Sequence, residues 1–284
     1  MSPVRTGKGV TLIELIVVIA ITSIIAATVA LFIRRPVEGY ADAARRAALT
    51  DEADTALRRL TRDLRLALPN SVRVLSNGNG TFLEYIETTG GGRYRAERDN
   101  LNAGDPLEFN LAAPGDGSFD VLCPDTAPAC PSLTFPPGSQ IVVYNLYSGV
   151  GETQSNAYVG DNRAVVTGFV PPVLSITQTL FPAPSPAKRF HVVSGPVTYG
   201  CVGSQLLRYS GYGYSAAQAG PPGGTVAVLA NNVAAGGCQF VYTPGALTER
   251  IATVSIILQI NSISAGGAVE RVRLFQQTQV SNAP

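Results

Sequence analysis

The stretch Gly9-Val10-Thr11-Leu12-Ile13-Glu14 stands at the head of an apolar run that extends from Leu15 to Ile33. The run contains 19 residues, with no charge, no Gly and no Pro among them. A helix of this length rises about 28 Å, close to the roughly 30 Å hydrocarbon core of a bilayer. Because apolar side chains surround the whole helix, the pattern predicts a membrane-spanning segment rather than an amphipathic one.

The same run could instead be a cleavable secretory signal, because the small residues Ala26, Ala27 and Ala30 lie near its end. It is longer than the apolar region of about 7–15 residues in such signals, and Glu14 at its start is atypical of them. Its three hydroxyl side chains can bond back to the backbone of their own helix. We therefore expect the run to be retained in the mature protein.

Glu14 has two interpretations that its neighbours leave open. A charged group costs about 2.5–3.5 kcal/mol at the centre of a membrane segment, and less near the interface. Thr11 and Glu14 have the spacing of a capping box, in which Thr11 is the N-cap. Alternatively, the Glu14 carboxylate pairs with a cation that another subunit supplies.

The segment from Lys8 to Leu15, preceded by Arg5, resembles the class III signal sequence of type IV prepilins and type II secretion pseudopilins. In that family a short basic leader ends in Gly and is followed by a hydrophobic residue, Thr-Leu-hydrophobic-Glu and an apolar helix. The resemblance implies that a prepilin peptidase cuts between Gly9 and Val10 and methylates the new amine of Val10. It also implies that Glu14 is the assembly carboxylate, which pairs with the N-terminal amine of a neighbouring subunit.

This resemblance divides the chain into a leader at 1–9, a membrane and assembly helix at 10–35, and an exported region at 36–284 that includes the outer half of the helix, 36–68. It implies a cytoplasmic leader, an inner-membrane span, a periplasmic head and later a place in a cell-surface pilus. Arg34 and Arg35 directly after the run would favour the opposite orientation. The cysteines, which all lie beyond the run, favour export to an oxidising compartment.

An even number of cysteines in an exported, loop-rich region predicts two disulfides. Three pairings are possible, and pairing of sequence neighbours joins Cys123 to Cys130 and Cys201 to Cys238. Neither spacing is typical of a zinc site, and the chain contains a single histidine. Buried free thiols are the remaining alternative.

The charge balance of the chain is nearly neutral, with 21 basic and 20 acidic residues. Loss of the leader removes Arg5 and Lys8 and leaves 19 basic residues against the same 20 acidic ones. This balance argues against a broad nucleic-acid surface, so we expect no nucleic-acid partner. The expected partners are the prepilin peptidase, other major and minor pilins, and membrane lipid before assembly.

Beyond the membrane run, Ala41 to Leu68 has the period of a helix. Its apolar residues recur at three- and four-residue spacing on one leucine-rich face: Leu49, Ala53, Ala56, Leu57, Leu60, Leu64 and Leu68. Pro36 removes one backbone hydrogen bond and can kink the axis between the two segments. We expect a long N-terminal helix that packs this face on a sheet, with Arg59 and Asp63 paired on its surface.

The rest of the chain is predicted to be antiparallel β, so the fold class is α+β and of the type IV pilin kind. The strongest indications are the hairpin signal Asn77-Gly78-Asn79-Gly80 and two strands near the C-terminus in which apolar and polar residues alternate. Gly90–Gly92 is predicted to be a flexible turn and Pro114–Pro137 a loop-rich segment. Predicted strands are Ser71–Leu75, Thr81–Thr88, Leu107–Leu111, Gln140–Tyr147, Ala164–Val170, Phe190–Val193, Gly195–Val202, Gln205–Tyr209, Ala252–Ile260 and Ala268–Val280.

Catalytic and metal-binding patterns are weak. His191 lies between apolar residues and is predicted to be an ordinary strand residue, since no nucleophile elbow accompanies it. Asp116, Asp120 and Asp125 lack the spacing of a calcium loop and are interpreted as turn residues. No catalytic residue, metal or cofactor is predicted, and an enzyme is disfavoured.

A tyrosine cluster offers a different kind of site. Tyr209, Tyr212 and Tyr214 lie amid Gly and Ser, a composition that suits a recognition surface for a partner or a glycan. The alternative, a packed loop rim, is favoured.

A narrower resemblance is carried by Arg58–Arg73 and Gln279–Pro284, which are similar to minor pilins of the mannose-sensitive haemagglutinin (MSHA) pilus, of the type called biogenesis protein O. It implies a minor pilin that is incorporated into a pilus filament, or that initiates or caps one. A minor pseudopilin of type II secretion is the alternative within the class. A membrane-anchored adhesin or glycan-binding module is the alternative of another class, and DNA uptake would need a basic stripe that the overall charge does not indicate.

Overall fold

A computed structural model of the chain describes residues 9–122, 133–136, 138–244, 251–263, 267 and 269–284. The elements of this part of the chain are α1 (Leu12–Leu64), β1 (Arg73–Asn77), β2 (Gly80–Tyr94), β3 (Asp116–Leu122), β4 (Gln140–Val143), β5 (Arg163–Val170), β6 (Val173–Thr179), β7 (Arg189–Val202), β8 (Gln205–Ser210), β9 (Thr225–Ala230), β10 (Val233–Thr243), β11 (Ile251–Ile263) and β12 (Val269–Ser281). All strand pairings are antiparallel, which confirms the predicted α+β class.

The helix α1 is a single element of 53 residues that continues through Pro36. Within the described residues it is the one helix long and apolar enough, by length and composition, to cross a membrane. It ends at Leu64, four residues earlier than predicted, because the chain then turns so that Ala67 pairs with Glu87 of β2. The membrane-length apolar segment and the segment that packs on the head are thus parts of one uninterrupted helix.

The outer half of α1 is held by its leucine-rich face. Every member of the predicted face is buried, and Leu60, Leu64 and Leu68 are fully so. The members within α1 pack against Leu83, Tyr85, Val197, Tyr199 and Leu206 of one sheet and Val254, Ile256, Leu258 and Ile260 of another, whereas Leu68, beyond the helix, packs with Ile86, Val142 and Val193. The helix therefore lies between two β layers, and its apolar period confirms the sequence prediction.

The smaller sheet has the order β10-β11-β12. Residues Ala252, Val254, Ile256, Leu258 and Ile260 point to α1 and are buried. On β12, Arg271 and Arg273 are exposed while Val272 and Leu274 pack on the core. The predicted half-buried hairpin is confirmed.

The larger sheet has the order β1-β2-β3-β6-β5-β4-β7-β8-β9, and β2 also pairs directly with β7. That additional pairing closes β2, β3, β6, β5, β4 and β7 into a ring of antiparallel strands. We call β3, β4, β5 and β6, together with the paired segments 88–94 of β2 and 189–193 of β7, the distal lobe. Thr88 donates its backbone N–H to the carbonyl of Leu66 at 2.8 Å, so β2 passes the end of α1 at this residue. The part of β2 beyond Thr88, and with it the distal lobe, lies past the C-terminal end of the helix.

Aromatic side chains fill the distal lobe. Phe119 lies edge-on to Phe190 at 5.6 Å between ring centroids and to Tyr94 at 6.4 Å. A Cβ on Gly92 would come within 2.7 Å of the Phe190 ring. The predicted flexible turn at Gly90–Gly92 is therefore wrong: these glycines lie inside β2, where Gly92 leaves room for an aromatic core.

Several other strand predictions need correction. Leu107–Leu111 is not a strand, although Leu107 itself is buried. A strand instead occupies Asp116–Leu122, inside the segment predicted to be loop-rich, and β6, β9 and β10 were not predicted. Gln140–Tyr147 ends at Val143, whereas Phe190–Val193 and Gly195–Val202 are parts of the single strand β7. Because the strands of the distal lobe pair with segments that are distant in sequence, the local alternation of apolar and polar residues indicates them only weakly.

Cys201 and Cys238 form a disulfide with 6.1 Å between their Cα atoms. It joins β7 of the larger sheet to β10 of the smaller one and so crosses the two layers that hold α1. This bond confirms one of the predicted pairs. Cys123 and Cys130 lie outside the described residues.

We predict that Leu60→Ala lowers the free energy of unfolding of the full chain by about 2–5 kcal/mol, because it opens a cavity beneath the helix. Thermal unfolding in detergent, followed by the near-ultraviolet circular dichroism of the tyrosines, measures the loss. Leu66→Ala, in the turn directly after the helix, is the control, since Leu66 is 48% exposed. Equal losses for both variants would contradict the proposed packing of the leucine-rich face.

Candidate assembly site

The N-terminal end of α1 carries the residues singled out in the sequence. Val10 is 71% exposed, and a Cβ on Gly9 would have no neighbour within 4 Å. Thr11 is the N-cap, and its hydroxyl accepts a hydrogen bond from the backbone N–H of Glu14 at 3.3 Å. The backbone at 9–10 is thus freely accessible beside a capped helix.

Glu14 contributes its backbone, and not its carboxylate, to this cap. The reciprocal bond of a capping box, from the Thr11 N–H to the Glu14 carboxylate, is not formed in the described part of the chain. Within that part the carboxylate has neither a hydrogen bond nor an ion pair. Capping therefore explains the position of Thr11 and leaves the charge of Glu14 without a partner among the described residues.

The apolar half of α1 is not covered by any other described part of the chain. No residue of its most apolar stretch is buried, and the hydrophobic side chains from Leu12 to Ile33 are exposed on all sides of the helix. Thr22, Ser23 and Thr28 donate their hydroxyl protons to carbonyls three or four residues earlier, as predicted. Such a surface requires lipid or other apolar helices as its surroundings.

Asp63 attaches the other end of α1 to the larger sheet. Its Oδ2 accepts the hydroxyl proton of Tyr199 at 2.6 Å and a hydrogen bond from Nε of Arg208 at 3.2 Å. Burial, with the nearby Asp63 carboxylate, raises the pKa of Tyr199 well above its ordinary value. The predicted surface pair of Arg59 with Asp63 is therefore wrong, because Asp63 turns inward to this sheet.

Arg73 joins two loops to the start of the larger sheet. Its Nε donates to Glu84 at 2.6 Å, and its two terminal nitrogens donate to the carbonyls of Ala216 at 2.7 Å and Ser215 at 2.8 Å. The guanidinium also lies 3.6 Å from the ring centroid of Tyr158. Because the Arg73 side chain is only 10% exposed and that of Glu84 3%, this pair fixes the loop after β8 against the core.

The tyrosine cluster is mostly packed rather than displayed. The Tyr212 hydroxyl lies 2.5 Å from the Thr198 hydroxyl and donates to Glu84 at 2.9 Å. The ring of Tyr214 lies under the guanidinium of Arg163 at 3.6 Å, and Tyr209 is buried. These contacts favour the packed loop rim over an exposed recognition surface.

His191 lies in β7 opposite Val142, as an ordinary strand residue. Its Nε2 is buried and has no hydrogen-bond partner among the residues that the structure describes. Burial, together with the charge of Arg189, lowers the pKa of His191 to about 4. The imidazole is therefore neutral near pH 7.

The candidate calcium ligands are dispersed. Asp120 pairs with Arg95 at 3.1 Å, and Asp116 accepts the backbone N–H groups of Glu108 and Ser118. Both lie in β3 rather than in turns, which corrects the sequence interpretation; Asp125 lies outside the described residues. Within the described ranges no group of three or more His, Cys, Asp or Glu side chains is placed to hold a metal ion.

Comparison with known proteins identifies the N-terminal region alone. Residues 5–30 match a family model described as the prokaryotic N-terminal methylation motif. No curated protein and no solved structure matches the chain. The motif, joined to a long apolar helix and an antiparallel β domain, supports a membrane-anchored subunit of the type IV pilin or pseudopilin class with a prepilin-type leader.

Sequence reasoning missed the polar contacts that attach the helix to the head. Asp63 meets Tyr199 and Arg208 across 136 and 145 residues of sequence. No spacing within the helix distinguishes Asp63 from its solvated acidic neighbours. The one available signal is Arg208 itself, a charge within the otherwise largely apolar strand β8.

We predict that Arg73→Met lowers the free energy of unfolding of the full chain by about 3–5 kcal/mol, because it leaves the Glu84 carboxylate buried and unpaired. Arg58→Met is the control, since the Arg58–Asp54 pair is exposed and such pairs contribute about 0–1 kcal/mol. Chemical denaturation in detergent measures both. Similar effects of the two substitutions would contradict the role of Arg73 in holding the loop after β8 against the core.

We also predict that His191 makes the chain less stable in acid. Since its folded pKa of about 4 lies below the ordinary value of 6.5, the unfolded chain binds the proton first, and stability falls as the pH drops from 6.5 towards 4. His191→Gln should flatten this part of the stability curve, measured as the difference between variant and wild type in urea denaturation at stepped pH. Parallel curves for the two proteins would contradict the assignment.

Proposed function

We propose that this chain is a minor type IV pilin-like subunit that is incorporated into a pilus filament and has no enzymatic role. The observation that supports this most is the exposure of every apolar side chain from Leu12 to Ile33 on a helix that continues into the head. Lipid satisfies this surface before assembly. Sister helices satisfy the same surface in a filament, so the subunit can exchange one environment for the other.

Processing creates the charge that this exchange needs. Cleavage after Gly9 gives Val10 an N-terminal amine, which the peptidase methylates without removing its positive charge. We propose that Glu14 of one subunit pairs with that amine on a neighbour, since the Glu14 carboxylate has no partner in the described part of its own chain. An ion pair in an apolar bundle is specific because either charge alone is strongly disfavoured there.

The shape of the head supports a place at the tip or in initiation. The distal lobe lies past the end of α1, so it adds volume on the side of the head farthest from the membrane. A subunit of this shape has room above it at the end of a filament and is crowded by neighbours within a shaft. We propose that the domains function as a cleaved leader at 1–9, an assembly helix at 10–35 and a periplasmic, later surface-displayed head at 36–284.

An MSHA-type pilus is the filament that we favour. The two segments similar to its biogenesis protein O meet in space, because the side chain of Asn282 accepts the backbone N–H of Asn70 at 3.3 Å. Asn282 also donates to the Tyr242 hydroxyl at 3.0 Å. A minor pseudopilin of type II secretion shares the leader, helix and head, and remains the second candidate.

We predict that Glu14→Gln reduces incorporation into filaments, because the variant lacks the charge that pairs with the amine of a neighbour. The Thr11 cap is unaffected, since it uses the backbone N–H of residue 14. Immunoblots of sheared filaments and of membranes, from a host that carries the variant as its single copy, measure the ratio. Glu38→Gln, on the same helix outside the apolar run, is the matched control.

Mass spectrometry of the wild-type N-terminus accompanies this test. A chain that begins with methylated Val10 is expected. Normal incorporation of Glu14→Gln would argue against the assembly carboxylate, whereas a chain that still begins at Met1, or that lacks the apolar helix, would overturn the proposed function.

A further inference from the structure

Four arginines near the C-terminal end of α1 form an exposed ridge, Arg58, Arg59, Arg62 and Arg65. Arg58 and Arg59 are adjacent, and Arg62 and Arg65 follow at steps of three or four residues, so all four lie on the face opposite Leu57, Leu60 and Leu64, which are buried. The ridge spans about 10 Å along the helix axis. Leu66, 48% exposed, lies beside it.

Within the described part of the chain, the acidic residues of this segment neutralise only Arg58 of the ridge. Asp63 is turned into the larger sheet, and Asp54 pairs with Arg58 at 2.6 Å. Arg59, Arg62 and Arg65 make no ion pair within the described part of the chain. Acidic and basic residues are interleaved in the sequence, but in the fold Asp63 points inward to the sheet and the arginines of the ridge point outward.

Helix stability by itself does not account for this row. Cations near a helix C-terminus are favourable by about 0.3–1 kcal/mol, which suits Arg62 and Arg65. Like charges at i, i+4, such as Arg58 and Arg62, oppose one another by a similar amount. The net gain is small, so helix stability alone gives no reason to place Arg59, Arg62 and Arg65 together without an acidic partner in the described part of the chain.

The position of the ridge indicates where that partner lies. Between Leu49 and Leu64 the two β layers cover the opposite face of α1. The same helix continues into the apolar segment, whose proposed surroundings in the filament are sister helices. The side of α1 that the head leaves open therefore faces the neighbouring subunits along the bundle.

The composition of the ridge favours a protein over a nucleic acid. Arginine beside an exposed leucine is typical of protein interfaces. Stacking on bases uses aromatic side chains, and within the described residues the exposed ridge contains none. Beside Arg65, an open depression lined by Thr253, Gln277, Thr278 and Gln279 adds hydrogen-bonding groups.

We propose that the Arg58–Arg65 ridge docks on a carboxylate-bearing face of a neighbouring filament subunit, an inference that rests on the proposed function. Arg62 and Arg65 pair with carboxylates of that face, and Leu66 contacts apolar surface next to them. This contact is distinct from the one between Glu14 and the amine, because it lies at the opposite end of α1.

The test compares two fourfold variants of the full chain in its host. The ridge variant combines Arg58→Gln, Arg59→Gln, Arg62→Gln and Arg65→Gln. The control combines Arg93→Gln, Arg98→Gln, Arg271→Gln and Arg273→Gln, which removes the same charge from exposed sites elsewhere. In each background a photo-crosslinking phenylalanine analogue replaces Leu66, and peptides joined to it in sheared filaments are sequenced by mass spectrometry.

We expect the crosslink to join position 66 to a filament subunit at a segment that contains several Asp or Glu residues. The ridge variant should lose about tenfold in crosslink yield, which corresponds to about 1.4 kcal/mol, and the control should keep it. Thermal unfolding of both variants verifies that the head remains folded.

Three results would overturn the inference. An unchanged crosslink and normal incorporation of the ridge variant would contradict it while leaving the proposed function intact. Salt-dependent binding of a 20-base-pair DNA duplex, lost in the ridge variant alone while the crosslink persists, would identify a nucleic-acid partner instead. Absence of the wild type and the control from filaments would reject the proposed function and the docking contact together.

Discussion

The apolar surface from Leu12 to Ile33 finds no cover within the chain, and this constraint shapes the rest of the molecule. A surface of this kind must be met by lipid or by other helices. The helix cannot fold back on the head, because the head already buries the other half of the same rod. Anchoring and assembly thus become two uses of one surface.

The head is fixed along the helix by contacts of different kinds. The leucine-rich face supplies most of the contact area, but apolar contacts are not directional. Asp63 adds direction, because Tyr199 and Arg208 reach it from two neighbouring strands. The Cys201–Cys238 bond then joins the two β layers around the rod. Together these contacts hold the head at one axial position.

The sequence indicates those features whose partners are local or whose period is regular. The leucine-rich face, the Asn77–Gly80 hairpin and the alternation of β11 were predictable, since each is visible within a few residues. The prediction of a flexible turn at Gly90–Gly92 was wrong because these glycines make room for Phe190, which lies about a hundred residues away in sequence. For the same reason the orientation of Asp63 was hidden, and with it the exposure of an arginine ridge. The cut between Gly9 and Val10 stays a prediction, whereas the sequence left Glu14 open between a capping box and a pair with another subunit, and the structure forms the Thr11 cap through the backbone of Glu14 alone.

Charge placement along α1 explains how an apolar bundle could acquire a register. Helices that meet through side chains such as Leu, Ile and Val can shift by a turn at little cost, since each position offers similar contacts. Glu14 and the proposed ridge lie at opposite ends of the rod, roughly 65 Å apart at 1.5 Å per residue. A shift of one turn, about 5.4 Å, separates both sets of charges from their partners at once. Lipid-like contacts then provide cohesion, and two polar contacts at the ends select one alignment among many.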